Sequence, residues 1–217
     1  SRLVLLDLTH FRGLRVRAGI YPEDLDAVAA ARIRTGAVVP ESAGLLVGGP
    51  FKLFTDGSLN TRTAWCYDDY PGLSGPDGAG LAIHSADELL GLARAAVAQG
   101  FVPTIHAIGD RATTLALDTF EAMGPLPAEL ARIGGSIEHA QLVAAADLAR
   151  FAALGVRASV QPEHAMDDRD VADHFWAGRT GRAFAYRALW EAGAELALGS
   201  DAPVAPLDPW VTISAAV

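Results

Sequence analysis

Residues 85–106, SADELLGLARAAVAQGFVPTIH, hold in one stretch the unit that decides the fold. Ser85 followed three residues later by Glu88 is a capping-box pattern, in which the hydroxyl takes a backbone N–H of the first turn and the carboxylate reaches back to the cap. Leu89, Leu90, Ala93 and Val97 recur at helical spacing until Gly100 ends the run. FVPTIH follows, short and apolar, and closes on the polar His106. The same order is written again downstream. A helix is predicted over Asp110–Met123, with Leu115, Thr119, Phe120 and Met123 on one side and Gly124 at its end, and ARIGGSIEH then reads as a strand. A third helix around Ala145–Leu154 stops at Gly155 before VRASVQ, and a fourth around Arg182–Ala192 stops at Gly193 before AELALGS.

Helices alternating with short apolar strands imply parallel pairing and right-handed crossovers, so the fold class is α/β. Upstream, LRVRAGIY and LLVGGPFKLF read as two further strands around a helix predicted at Glu23–Arg34, which makes six strands in a single domain over residues 1–217. A complete eight-stranded barrel needs about 250 residues, so the expectation is a partial one. A doubly wound sheet stays open as the alternative, but no G-x-G-x-x-G follows a strand, and GPDGAG at residues 75–80 reads as a turn.

Composition narrows the function classes. Seventeen basic against twenty-six acidic residues give a net charge of −9, which argues against a nucleic-acid partner. There is no apolar run of membrane-spanning length, and the opening SRLVLLDLTHFRG carries Asp7 and His10 and lacks a small-residue cleavage site, so no membrane partner or signal peptide is expected. The single Cys66 excludes an internal disulfide and fits a reducing, cytoplasmic setting; it reads as a packed or solvated thiol rather than a nucleophile.

Four strand-end positions carry the chemistry. In a barrel of parallel strands the carboxyl ends converge on one mouth, so Lys52, His106, His139 and Asp201 are expected to be neighbours there. Imidazole nitrogens and carboxylate oxygens are the usual ligands of zinc and related divalent ions. His106 and His139 suit that role. Asp201, at the end of the last strand, can both touch a metal and accept a proton from water, which makes it the candidate general base. Glu138 is expected to point to the helix side, because side chains alternate along a strand. Lys52, buried beside cations, would have to shed its proton, and the free amine could form a carbamate that ligates like a carboxylate; a plain salt-bridged lysine is the alternative. Asp56, Asp110, Gln161 and His164 end strands at the same mouth and are candidate substrate-binding residues. Each has a simpler reading: Asp110 as a helix cap, Asp56 as the holder of its DG turn, His164 as an exposed loop residue. Trp65, Tyr67 and Tyr70 either wall the pocket or pack a long loop, and His10, His84 and His174 read as surface or capping residues.

The stretches FKLFTDGSLNTRTA, TIHAIGDRATTLALDTFE, RIGGSIEHAQLV, SVQPEHAMDD and LGSDAPVAPLDPW resemble, in order and spacing, the amidohydrolase superfamily. The nearest branch is the amidohydrolase-3 group, which includes enzymes that deformylate N-substituted formamides. The resemblance implies a (β/α)₈ TIM barrel with one or two divalent metals, most commonly zinc, at the carboxyl-end mouth. Its ligands would come from a His-x-His on the first strand, a lysine (often carboxylated), two single histidines and an aspartate; by motif the last four are Lys52, His106, His139 and Asp201. The His-x-His, the first strands and the flanking β-sandwich have no counterpart here, so the chain resembles a central fragment covering about strands 3 to 8. The implied activity is metal-dependent hydrolysis of an amide-type carbon–nitrogen bond in a small molecule. The alternative expectation is a catalytically incomplete chain that binds or assembles, as a homo-oligomer or through exposed barrel edges.

Overall fold

Among the described residues six strands pair in chain order, each parallel to the one before it, so every crossover is a simple step to the next position. The computed structural model describes residues 14–40 and 42–217, and the opening stretch with Asp7 and His10 lies outside them. The strands are β1 (Val16–Ile20), β2 (Leu46–Phe54), β3 (Pro103–Ala107), β4 (Ser136–His139), β5 (Arg157–Val160) and β6 (Leu196–Leu198). Between and after them lie α1 (Leu25–Ala30), α2 (Ala86–Ala98), α3 (Asp110–Met123), α4 (Ala128–Ala131), α5 (Leu148–Leu154), α6 (Pro162–Asp167), α7 (Arg169–Phe175), α8 (Tyr186–Glu191) and α9 (Pro209–Ala215). The result is a partial (β/α)₈ barrel: a curled parallel sheet with helices on its outer face. Among the described residues β1 and β6 are its two edges, each paired on one side. No helix of the described residues is long and apolar enough to cross a membrane.

The local chemistry explains the elements. Ser85 caps α2 in a complete capping box with Glu88. Gly155 takes the left-handed conformation (φ 64°) that ends α5, as expected of a C-terminal glycine. Three predicted helices are shorter in the structure, and the one predicted from Ala145 opens as a 3₁₀ turn over residues 145–147. Residues 22–24 form a 3₁₀ turn before α1, and the helix predicted from Arg182 starts only at Tyr186. For the helix predicted from Arg182 the reason is tertiary: Phe184 adopts a positive φ of 49° and donates its N–H to the Gln141 carbonyl, while Leu142 and Ala183 form an isolated antiparallel bridge.

Register divides each strand into two faces. Phe51, Leu53, Ile105, Ile137, Ala158 and Val160 point outward into a buried core shared with Leu89, Ala93, Leu117, Phe120 and Phe151 of the helices. The opposite face aligns Lys52 with Thr104 and Ser136, and Phe54 with His106, Glu138 and Ser159. That inner face is polar, and it leads up to the mouth. A second buried cluster lies there, where Leu59, Ala64, Cys66 and Tyr70 of the β2–α2 connection pack on Ile108, Leu142, Ala172 and Trp176.

Candidate metal centre

His139 ends β4 with φ at 76°, and Ala140 follows at 44°. Two consecutive left-handed non-glycine residues are sparsely populated conformations that cost roughly 1–3 kcal/mol each, and such strain gathers at functional sites. The turn has a clear effect on direction. Strand alternation alone would place His139 with Ile137 on the helix side. Instead its ring lies 4.6 Å from that of His106 and 5.8 Å from that of His164, stacked on the latter at 11°. Asp201, just past β6, also sits at a positive φ of 56°. His139, His164 and Asp201 each offer one ligand atom, and these atoms all lie within 4.8 Å of one another.

The surroundings of these groups are those of a binding site. Among the described residues, the buried side-chain polar atoms without a hydrogen-bond partner are His139 Nδ1, His164 Nε2, Gln141 Oε1, Gln161 Oε1 and Trp176 Nε1. An unsatisfied buried polar atom costs about 1–3 kcal/mol, and native structures hold few of them. Four of these five belong to residues at or just beyond the carboxyl ends of β4 and β5. Two imidazoles with free buried nitrogens beside a carboxylate form a donor set suited to a divalent first-row cation. Burial first, then the neighbouring His106, Lys52 and His164, push His139 down to about 2, so its imidazole is neutral, the form that ligates. Burial also lowers Lys52, against the opposing pull of Glu138 and Asp201. Its Nζ lies 5.1 Å from the centre of the Phe54 ring.

Other expected residues are placed differently. His106 is close to the group, but its Nε2 is 2.9 Å from the Gly57 carbonyl and 3.4 Å from Asp56 Oδ1, so its Nδ1 is the nitrogen left for a ligand. Asp56 is fully buried, and its two oxygens accept the N–H groups of Trp65, Ile108 and Gly109, tying the β2–α2 connection to the start of α3. Asp110 is the first residue of α3 rather than its cap, which is Gly109. It accepts from the Tyr67 N–H and from Arg182 at 2.9 Å. Gln161 is buried and donates to the Ser159 carbonyl. His164 is not an exposed loop residue: it is buried on α6 and belongs to the ligand group. Tyr70 and Cys66 pack the long connection, with the Cys66 thiol pushed up to about 11 by burial. Tyr67 is exposed, and Arg111 lies 4.4 Å over the Trp65 ring.

One expectation is overturned. Glu138 does not face the helices; its Oε1 accepts from the hydroxyls of Thr104 at 2.7 Å and Ser136 at 2.8 Å on the inner face, near enough to Lys52 to act on its charge. Alternation counted back from His139 misplaces Glu138, because the left-handed His139 breaks the alternation. Gln141, whose amide meets the His164 ring, is the residue that sequence reasoning missed. Its signal was a polar residue two places beyond a strand-end histidine.

Comparison with known proteins agrees with this geometry. The family model described as "Amidohydrolase family" matches residues 4–217. Protein LONG AFTER FAR-RED 3 of Arabidopsis thaliana is 37% identical over 188 residues, 86% of this chain and 31% of its own length. YtcJ of Bacillus subtilis (strain 168) is 33% identical over 170 residues, 78% of this chain and again 31% of its own. An uncharacterized metal-dependent hydrolase from Pyrococcus horikoshii OT3 matches with a TM-score of 0.80 at 35% identity, covering 94% of this chain and 39% of that one. The chain thus spans about a third of the length of the curated relatives it matches. Because the family match takes in every described strand and helix, this chain belongs to the amidohydrolase family, in its amidohydrolase-3 branch.

Proposed function

We propose that this chain contributes the metal centre of a hydrolase that cleaves amide-type carbon–nitrogen bonds in small molecules. The observation that carries the reading is the convergence of His139, His164 and Asp201 within 4.8 Å, with a buried, unpartnered nitrogen on each imidazole. His106, whose ring lies 4.6 Å from that of His139, and Lys52, which acts on the charge of His139, are proposed to complete the set. Zinc is the proposed ion, as one or two per intact protein, because two imidazoles and a carboxylate are its usual protein ligands. Such an ion supplies Lewis acidity and lowers the pKa of water toward neutrality.

This chain's residues have separate tasks in the proposed reaction. Asp201, exposed at the mouth, accepts a proton from the attacking water and passes it to the leaving amine. Gln161, with a free carbonyl oxygen, holds an N–H of the substrate. Asp56 and Asp110 act on the substrate indirectly, by fixing the loops that wall the mouth. The lowered Lys52 amine supports a carbamate, since a free amine is what reacts with carbon dioxide. A cytoplasmic setting is part of the proposal, supported by the single buried thiol.

Elemental analysis of the intact protein is the test. We expect bound divalent metal that His139→Ala removes together with hydrolysis. Asp201→Asn should keep much of the metal and lose turnover by roughly 10²–10⁴-fold, the usual contribution of a general base. Wild-type metal content and activity in both variants would refute the reading.

A further inference from the structure

Gln141 is 3% exposed and sits two residues beyond His139, where the chain has left β4. Its backbone is held from two sides: its carbonyl accepts from Phe184, and the next N–H, that of Leu142, donates to Ile108. Its side-chain amide ends 3.4 Å from His164 Nδ1, and its Oε1 is buried without a partner. On the far side of the same ring, His164 Nε2 is buried and equally without a partner.

These facts are linked through the ring's single proton. With the amide nitrogen facing Nδ1, that nitrogen must accept, so Nε2 carries the hydrogen and points a buried donor at no acceptor. A half-turn of the amide, which leaves its shape unchanged, brings Oε1 to the same place. Nδ1 then donates to Oε1, and the unpartnered Nε2 is left with a lone pair, as the nitrogen that His164 can offer beside His139 and Asp201. A metal-ligating histidine almost always donates its other N–H to an oxygen in this way, which fixes its tautomer and orientation. With a cation on Nε2 the buried ring is fully satisfied.

We infer that Gln141 is a positioning residue of the centre: its amide oxygen holds His164 in the Nδ1–H tautomer and so makes Nε2 a ligand. The inference rests on the metal-centre reading above. It adds a residue that touches neither ion nor substrate, and it gives His164 a role in metal binding rather than in substrate recognition.

The test compares variants of the intact protein by zinc affinity, measured by competition with a chromogenic chelator. Gln141→Met preserves length and the backbone anchors but offers no oxygen, and should weaken zinc binding about 10- to 100-fold, the range found when such outer partners are removed. Gln141→Glu keeps an acceptor and should bind zinc at least as tightly as the wild type. In a His164→Ala background, Gln141→Met should cause no further loss, because the ring it orients is gone. A direct readout needs no substitution at position 141. In metal-free protein labelled with ¹⁵N-histidine, the His164 resonances, identified by their disappearance in His164→Ala, should show a protonated Nδ1 and an unprotonated Nε2. Wild-type affinity in Gln141→Met, or a protonated Nε2 in the labelled protein, overturns the inference. If His139→Ala loses zinc while Gln141→Met and His164→Ala do not, this inference falls and the proposed function stands; if none of them loses zinc, the proposed function falls as well.

Discussion

At the scale of single residues, Asp56 is the most heavily committed side chain near the mouth. Three backbone N–H groups end on its carboxylate, which is shielded from solvent, so removing it leaves two buried donors and one half-buried donor unpaired. Each buried unpaired group costs about 1–3 kcal/mol, so Asp56→Ala should destabilise the protein by at least about 2 kcal/mol in a denaturant titration. A loss under about 1 kcal/mol would mean the carboxylate is spare and free for a substrate. His139 sets a pH dependence. The folded protein depresses this group to about 2 from an ordinary 6.5, so between those values the unfolded chain holds a proton that the folded one refuses. Stability of the metal-free protein should therefore be unaffected above about pH 6.5 and fall by up to about 1.4 kcal/mol per unit as the pH drops below it. His139→Gln should flatten that slope, and an unchanged slope would place the acid sensitivity elsewhere. Strand-end histidines and Asp201 were legible in the sequence because each closes an apolar run. His164 was legible only as a residue of the mouth, because it lies on a helical turn begun by Pro162 rather than at a strand end. The inward turn of Glu138 was hidden, because nothing in SIEHAQ announces a left-handed His139.

At the scale of elements, the units that carry their own signals were readable and the connections were not. The helix over Asp110–Met123 and the capping box at Ser85 match their sequence patterns because local hydrogen bonding decides them. Helices α6 and α7 went unread because they are short, and part of what holds them is the β2–α2 connection, through Asn60 on Asp168 and the apolar cluster around Trp176. Gly109 shows how closely that connection is fitted. A Cβ there would lie 2.1 Å from the Trp65 carbonyl oxygen, the atom that accepts the Ala112 N–H and so caps the first turn of α3. Gly109→Ala should cost about 1–3 kcal/mol, as overpacking does, and should release the connection between β2 and α2. Limited proteolysis is expected to cut within residues 60–80 faster in the variant, and equal rates would show that the loop yields without loosening.

At the scale of the whole molecule, the sheet formed by the described residues has two edges, and from the end of β6 onward the surface is apolar: Leu198, Val204, Leu207, Trp210 and Ile213 are all exposed. Unpaired edges and exposed apolar patches promote association. A polypeptide of these 217 residues made alone should therefore elute in size-exclusion chromatography with light scattering as dimers or larger species, and a lone stable monomer would contradict this. The partial barrel was legible because strand and helix alternate with regular punctuation. The site's full membership was less so, since it depends on how loops from distant units settle over one mouth. The sequential strand order also bears on how the molecule is made. Each strand leaves the ribosome after the neighbour it will pair with on one side, so the sheet can grow in the direction of synthesis without waiting for a distant partner. His139 is in place with the fourth strand and His164 just after the fifth, and Asp201 arrives with the last. The three-donor set exists only when the final strand has docked, so the ability to hold an ion marks a sheet assembled through to its sixth strand.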